Sequence, residues 1–238
     1  MKIYIDPGHG GSDSGAVGPT GLGEKDINLN IAANVKQILQ RHEISATLTR
    51  QDDSRVELAN RVKMANNNGA EYFVSIHINS ASSPAATGTE TFAFPNSAQG
   101  TKLAEAVQKS LVNEIDLADR GIKHKEFYVL KNTKMPAILV EVAFINNPKE
   151  EKLLKDQNFL DRAAIGISKG ILTFLGIEYK EYKDDNDIDD NISPWAGEAM
   201  KWATGKEVNL TDGSMPKEPV NLERLITILY RYHNLFNK

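Results

Sequence analysis

The sequence predicts an α/β protein with a mainly parallel, twisted sheet and helices on both faces. Over residues 1–175, short apolar runs alternate with stretches of helical periodicity, which is the pattern of successive βαβ units. The stretch 27–42 is typical of these helices, with apolar residues three or four positions apart. The run 136–145 is apolar except for one glutamate, as expected for a strand that is buried on both faces.

The first half of this region contains three strand candidates and two helix candidates. The run KIYID is strand-like, and Pro7 directly after it cannot donate a hydrogen bond to a sheet. A glycine-rich stretch then leads into the first helix. The predicted elements are, in order, a strand at 2–6, a helix at 27–42, a strand at 44–50, a helix at 56–68 and a strand at 72–79.

The second half continues the alternation. The elements predicted here are a strand at 88–94, a helix at 101–115, a short strand at 127–130, a strand at 136–145 and a helix at 158–176. Gly176 is expected to end the last helix, because glycine readily adopts the left-handed conformation that closes many helices.

The composition changes after Leu175 and divides the chain into three parts. Residues 176–191 are acidic and almost free of aliphatic side chains, which predicts an exposed linker. Residues 192–238 contain two short amphipathic stretches, and helices of this size bury little surface alone. We therefore predict a main domain at 1–175, a linker at 176–191 and a small helical module at 192–238.

Composition also excludes several classes of function. The 238 residues include no cysteine, so any metal must bind to histidine or carboxylate ligands. The net charge is -4, with no cluster of basic and aromatic residues, which argues against a nucleic-acid partner. No stretch approaches the roughly 20 apolar residues that cross a bilayer, so no membrane span is expected. The N-terminus also lacks the apolar core of a secretion signal.

Four ionisable side chains are placed to meet at one edge of the predicted sheet. His9 follows the first strand, Glu24 precedes the first helix, and His77 and Glu141 lie late in two apolar strands. Ligands of open α/β sheets bind beyond the carboxyl ends of the strands. Two imidazoles and a carboxylate from separate segments form a set suited to Zn²⁺ with an open fourth position.

Each of these residues also has a simpler explanation. His77 is as readily a core histidine as a ligand, and Glu24 alone is explained by the helix dipole. For His9 a ligand role is favoured, because the glycines around it allow the backbone and a metal to approach each other closely. Glu141 is the most informative, since a buried carboxylate is costly unless it is paired, metal-linked or functional. The remaining histidines are interpreted as surface or loop residues: His42, His124 and His233.

Four segments carry a resemblance to a known family. IDPGHGG, GEKDINL, SIHINS and MPAILVEVAFINN occur in this order. Together they resemble the zinc-dependent N-acetylmuramoyl-L-alanine amidases of the amidase-3 type, found in bacterial autolysins and phage endolysins. The resemblance covers residues 1–175 and implies Zn²⁺ ligands at His9, Glu24 and His77 and a catalytic glutamate at Glu141.

The function that this resemblance implies is hydrolysis of peptidoglycan at the amide between N-acetylmuramic acid and L-alanine of the stem peptide. Zinc-activated water and a glutamate base would perform it, with Asn79 and the segment 127–137 beside the substrate. Two alternatives stay open: a zinc peptidase acting within the stem peptide, and a non-catalytic wall-binding protein, against which the intact residue set argues. Without a recognisable signal, the protein is expected to be made in the cytoplasm and to reach the wall after release, as an endolysin does.

The C-terminal module resembles a single surface-layer-homology-like repeat, as found on clostridial wall proteins and endolysins, over residues 192–232. The resemblance implies wall binding, with Trp195 and Trp202 on one helical stripe as contacts. Such repeats usually occur in sets. A packing element or a homodimer formed through the same tryptophans is therefore an equal alternative.

Overall fold

A six-stranded sheet lies at the centre of the fold. The structure is a computed structural model that describes residues 1–181 together with Ile226, Tyr230 and His233. The strands are β1 (Lys2–Pro7), β2 (Ser45–Leu48), β3 (Tyr72–Asn79), β4 (Thr89–Ala93), β5 (Asp119–His124) and β6 (Ala137–Phe144). The helices are α1 (Glu24–Arg41), α2 (Leu58–Asn67), α3 (Ala98–Ile115), α4 (Tyr128–Asn132), α5 (Pro148–Leu154) and α6 (Gln157–Phe174).

The sheet is parallel apart from one pair of strands. Its order is β2-β1-β3-β6-β4-β5, and β4 runs antiparallel to β6 while the other neighbours are parallel. Because β1, β3 and β6 are adjacent and parallel, their carboxyl ends reach the same edge of the sheet.

Helices cover both faces of the sheet, which confirms the predicted fold class. On one face, α1, α3 and α6 pack over the larger apolar cluster, which includes Ile31, Leu103 and Ile167. On the other face, α2 and α4 contribute Val62 and Leu130 to a smaller cluster. The strands between them are buried on both faces, which explains their nearly continuous apolar sequences.

The predicted strand at 127–130 is wrong, because Phe127 is the N-cap of helix α4 and the next three residues form its first turn. A run of four apolar residues fits a strand or a single helical turn equally well. Here the side chains of Asn132 and Thr133 donate to the backbone carbonyls of Tyr128 and Val129. These bonds satisfy carbonyls at the end of the turn, which favours the helix.

Two further elements are absent from the sequence prediction. The residues of β5, DRGIKH, show no apolar alternation, because β5 is an edge strand and charged side chains are common there. The start of α5 has a recognisable signal, since the side chain of Asn147 accepts hydrogen bonds from the first turn and Pro148 follows it.

Most of the predicted C-terminal module, including Trp195 and Trp202, lies outside the described residues, so its wall-binding and dimerisation roles stay predictions. The chain divides into two units, Met1–Tyr179 and Lys180–Lys238. None of the helices in the described part of the chain combines the length and the apolar content that a bilayer crossing needs.

Two glycines allow α6 to pack closely on α3. A Cβ atom at Gly170 would lie 2.4 Å from Cα of Val107, and a Cβ atom at Gly166 would lie 2.9 Å from Cα of Leu111. Both distances are far shorter than an ordinary contact between carbon atoms, about 3.5–4.0 Å. The two helices therefore touch through their backbones at these positions.

Replacing Gly170 with alanine should lower the free energy of unfolding by about 1–3 kcal/mol, because the added methyl group overpacks the α3–α6 contact. This loss should appear although alanine favours a helix by about 1 kcal/mol over glycine. Urea denaturation measures the effect. Gly166→Ala should lose less free energy of unfolding than Gly170→Ala, because its added Cβ atom would lie farther from α3. A Gly170→Ala protein as stable as the parent would contradict the close packing.

Candidate metal and catalytic site

The turn after β1 places His9 at the carboxyl end of the sheet. His9 has a φ of 60°, a left-handed conformation that is uncommon outside glycine. Its Nδ1 lies 2.9 Å from Oδ2 of Asp13. This contact fixes the orientation of the ring, so that Nε2 faces the site.

Two arginines stabilise this turn by donating hydrogen bonds to its backbone carbonyls. The buried side chain of Arg61 donates to the carbonyl oxygens of Pro7 and His9, at 2.6 and 2.7 Å, and to Oδ1 of Asp6, at 2.8 Å. Arg50 donates to the carbonyl oxygen of Gly8 at 2.9 Å. The sequence analysis missed both arginines, although a cation next to Val62 on the buried stripe of α2 is a usable signal.

Glu24 joins the two histidines. It is the first residue of α1 and only 3% exposed. Its Oε1 lies 2.9 Å from Nδ1 of His77 and 3.3 Å from Nε2 of His9, and the two imidazole rings meet edge to face with centroids 4.9 Å apart. Backbone N–H groups of Ile78 and Ala16 donate to its two oxygens. The carboxylate is therefore fixed between the rings.

Glycines make room for these side chains. A Cβ atom at Gly8 would lie 2.2 Å from Cε1 of His77, and one at Gly15 would lie 2.5 Å from Oε2 of Glu24. The sequence analysis attributed the glycines to close approach of a metal. In the structure, these two positions are needed by the ligand side chains themselves.

The electrostatics of this group favour a bound cation. Burial acts to raise the pKa of Glu24, but hydrogen bonds and charge interactions with His77 and His9 hold it well below its usual range. Burial acts to lower the pKa of His9, but Glu24 and Asp13 raise it to about 9. A positive charge is therefore stabilised between these residues, and a divalent metal supplies one without protonating the imidazoles.

The donor atoms of His9, Glu24 and His77 all lie within 4.8 Å of one another, which is close enough to hold one metal ion. Two imidazole nitrogens and one carboxylate oxygen suit a transition metal such as zinc. Asp13, on the far side of His9, provides the outer hydrogen bond that metal-binding histidines commonly make. The residues present thus fit a three-ligand metal site.

Glu141 lies next to this group on the sheet. It pairs in register with His77 of β3 on one side and with Glu90 of β4 on the other. Among the described residues, no hydrogen-bond donor contacts its buried Oε2 atom. Burial, with smaller contributions from Glu24 and Glu90, raises the pKa of Glu141 to about 7, although His77 acts in the opposite direction. A group with such a pKa can both accept and donate a proton near neutral pH.

Asn79 lies beside Glu90, a residue that the sequence analysis missed. The Nδ2 of Asn79 donates to Oε1 of Glu90 at 3.0 Å. Two cations, Arg120 and Lys123, lie 2.6 and 2.5 Å from Oε2 of the same carboxylate. Glu90 is a carboxylate within a buried strand, which is the same signal that identified Glu141.

A cleft of about 430 Å³ is lined by His9, Glu24, His77, Asn79 and Glu141. Leu58 and Tyr128 also line it and are 52% and 46% exposed. A polar floor with apolar side chains beside it is typical of ligand sites.

The histidines that were left out of the site lie elsewhere in the fold. His42 follows α1, and its Nδ1 lies 2.8 Å from the carbonyl oxygen of Ile38. His124 ends β5 and is exposed, with Nε2 3.0 Å from Oγ1 of Thr101. Neither residue lines the cleft.

Comparisons with known proteins agree with the geometry. The sporulation-specific N-acetylmuramoyl-L-alanine amidase of Bacillus subtilis is 40% identical over 174 residues, which cover 72% of this chain and 67% of that protein. The endolysin of Bacillus phage SPP1 is 39% identical over 186 residues, 75% of this chain and 67% of the endolysin. The solved catalytic domain of CwlV, an N-acetylmuramoyl-L-alanine amidase of Bacillus (Paenibacillus) polymyxa, superposes with a TM-score of 0.71 at 42% identity and covers 74% of this chain and 99% of that domain.

The family model of N-acetylmuramoyl-L-alanine amidase matches residues 3–173. This range contains all of the sheet except Lys2 at the start of β1, together with the three candidate ligands and Glu141. The chain therefore belongs to the N-acetylmuramoyl-L-alanine amidase family.

Proposed function

We propose that this protein is a zinc-dependent peptidoglycan hydrolase that cleaves the amide between N-acetylmuramic acid and L-alanine of the stem peptide. The observation that carries the proposal is the meeting of His9, Glu24 and His77 beside Glu141, in one cleft of a chain that belongs to this amidase family. Neither a peptidase nor a non-catalytic binding role is favoured by a separate observation.

In the proposed mechanism, His9, Glu24 and His77 hold the zinc ion. When bound, a zinc ion at this site would supply Lewis-acid polarisation of the scissile carbonyl and a lower pKa for the attacking water, from about 15.7 toward about 7. Hydrogen bonds from Asp13, Ala16 and Ile78 keep the ligand side chains in place before substrate binds. Such outer contacts make the ligand set rigid, which is required for precise positioning of the reacting groups.

Glu141 is proposed to act as general base and then general acid. Its carboxylate takes a proton from the attacking water and returns it to the nitrogen of the departing alanine. General acid–base transfer of this kind typically contributes about 10²- to 10⁴-fold to the rate. The unpartnered, buried Oε2 of Glu141 supports this role, because a structural carboxylate in a strand would have a donor or a cation nearby.

Asn79 is proposed to contact the substrate at the wall of the cleft. Its Oδ1 accepts a hydrogen bond from the N–H of Ser80 at 2.8 Å, and its Nδ2 donates to Glu90. The amide group is thus held in one orientation. It retains acceptor capacity on Oδ1 for one N–H of the substrate.

The C-terminal segment is proposed to add binding to the wall or self-association rather than chemistry. The family match ends at residue 173, so the segment is not needed to build the cleft. A wall-binding or dimer contact would raise the effective concentration of the catalytic unit at its polymeric substrate.

Mass spectrometry of peptidoglycan digested with the purified protein tests the reaction directly. An amidase releases intact glycan and peptides with a new L-alanine amino terminus. Cuts between peptide residues would instead identify a peptidase, and unchanged walls would identify a binding protein.

The purified protein should contain about one zinc ion per chain, and removal of the metal by a chelator should abolish wall lysis. His77→Ala should lose the metal because one of three ligands is missing, whereas His124→Ala serves as a matched histidine control and should keep it. Elemental analysis and a turbidity assay measure both effects. Full activity in a metal-free preparation would contradict zinc catalysis.

Replacing Glu141 with glutamine should lower turnover by about 10²- to 10⁴-fold while zinc content and folding stay unchanged, because only the proton transfer is lost. Glu105→Gln, at an exposed position of α3, is the control for the loss of one carboxylate. Single-turnover rates on soluble muropeptides measure the effect. Parental rates in the Glu141 variant would exclude the assigned role.

A chain that ends at Glu181 should fold, bind zinc and cleave soluble muropeptides like the full-length protein, because the family match and the described sheet are complete before this point. On intact walls it should be less active. Wall pull-down and sedimentation mass separate the two proposed roles: lost binding at unchanged mass indicates wall binding, and a halved mass indicates dimerisation. Equal binding, mass and lysis would show that the segment has neither role.

A further inference from the structure

A cluster of cations lies beside the catalytic cleft on the edge strand β5. Arg120 and Lys123 approach the same oxygen of Glu90, at 2.6 and 2.5 Å. Lys125 follows directly after β5, and its ammonium group lies 4.5 Å from the centre of the Phe127 ring, a ring that lines the cleft.

The sheet register places these cations on the face that carries Glu141. Glu90 is the direct antiparallel partner of Glu141, and directly opposed residues project to the same face. Lys123 pairs with Phe92, two residues beyond Glu90, and Lys125 is two residues beyond Lys123. Because side chains alternate with a period of two, Lys123 shares the face of Glu90 and Glu141, and Lys125 continues this pairing, since its N–H donates to the carbonyl of Ala93. Arg120 is three residues before Lys123, but the register shifts between Thr89 and Thr91, and its side chain reaches Glu90 directly.

The cluster carries more positive than negative charge. One carboxylate, Glu90, faces two cations, and within the described residues no carboxylate pairs with the side chain of Lys125. The opposite wall differs, since Arg55 there is paired with Glu57 at 2.7 Å. In a protein of net charge -4, this excess of positive charge lies directly behind two residues that line the cleft, Phe127 and Asn79.

Protection of an exposed edge strand from pairing with another chain does not explain this arrangement. Lysines that protect an edge from pairing with another chain extend into solvent, whereas Arg120 and Lys123 turn inward to a carboxylate that is only 5% exposed. The side chains of both remain 37% and 41% exposed. They can therefore contact a second anion without leaving Glu90.

We propose that Lys123 and Lys125 bind a free carboxylate of the stem peptide, on the residue that follows L-alanine, and so set both the direction of the substrate and a preference for acidic stem peptides. This inference rests on the proposed function. The glycan is uncharged near the scissile bond, so the cation cluster fits the peptide side. The ammonium of Lys123 contacts Glu90 on β4, the strand next to β6. Neighbouring strands are about 4.8 Å apart and an extended peptide advances about 3.3 Å per residue, so a peptide that leaves Glu141 reaches β4 within one to two residues.

Two soluble synthetic muropeptides test the proposal with the full-length zinc-loaded protein. They differ only in the residue after L-alanine, which carries a free carboxylate in one and a carboxamide in the other. The wild-type ratio of kcat/KM should favour the carboxylate by about tenfold, from two partly exposed ion pairs worth about threefold each. Lys123→Gln and Lys125→Gln should each lower this ratio about threefold.

Lys169→Gln is the matched control. Lys169 also lies 2.5 Å from one carboxylate oxygen, on Glu114, and its ammonium lies 4.8 Å from the centre of the Tyr179 ring. Lys169 is on α6 and does not line the cleft. The Lys169→Gln variant should therefore show the same ratio of kcat/KM for the two muropeptides as the wild-type protein. Lys123→Gln leaves Glu90 paired with Arg120, and Lys125→Gln removes no partner of a buried carboxylate. Both variants should therefore fold, which thermal melting checks.

The outcomes separate this inference from the function on which it rests. Equal kcat/KM for the two substrates in the parent, or an unchanged ratio in both lysine variants, would overturn the inference alone. A variant that loses lysis of intact walls but keeps the parental ratio would point to a phosphate polymer of the wall as the anion, and would also overturn it. Failure to cleave either substrate would overturn the proposed function and the inference with it.

Discussion

The site depends on the turn after β1, which holds His9 in a conformation that the chain alone disfavours. A left-handed non-glycine residue costs on the order of 1–3 kcal/mol. Arg61 offsets this cost by donating to the carbonyl oxygens of Pro7 and His9 from inside the fold. Since a buried cation also needs a counter-charge, Asp6 at the end of β1 pairs with it. The position of the first imidazole is thus set by a buried ion pair beneath the backbone.

Three carboxylates lie at this edge of the sheet, Glu24, Glu141 and Glu90, and their neighbours give them different protonation behaviour. Glu24 lies between two imidazoles and Glu90 lies between two cations, and in both cases the interactions overcome burial and lower the pKa. Glu141 lies between them with no such partner, and burial raises its pKa to about 7. The arrangement separates a carboxylate suited to metal binding from one suited to proton transfer, although all three have the same side chain.

Sequence alone predicts the parts of this protein that follow from periodicity. The strands that carry His77 and Glu141 are apolar on both faces, so their polar residues are conspicuous. These residues converge because the two strands are parallel neighbours in the sheet. β5 is missed because an edge strand needs no apolar alternation. Arg61 is marked in the sequence only as a cation on the buried stripe of α2. Its partners cannot be read there, because they are backbone carbonyls of another segment.

The reversed direction of β4 explains why charged side chains lie beside the cleft. A strand parallel to β6 would begin at the far end of the sheet, but antiparallel β4 begins at the catalytic edge and places Glu90 opposite Glu141. Glu150 of α5 ties this start to the end of β6, because it accepts from the N–H groups of Gly88 and Phe144 at 2.8 and 2.5 Å. Since β5 runs parallel to β4, it also begins there, which brings Arg120 to the same edge. The direction of one strand therefore determines which charges lie at this edge of the sheet.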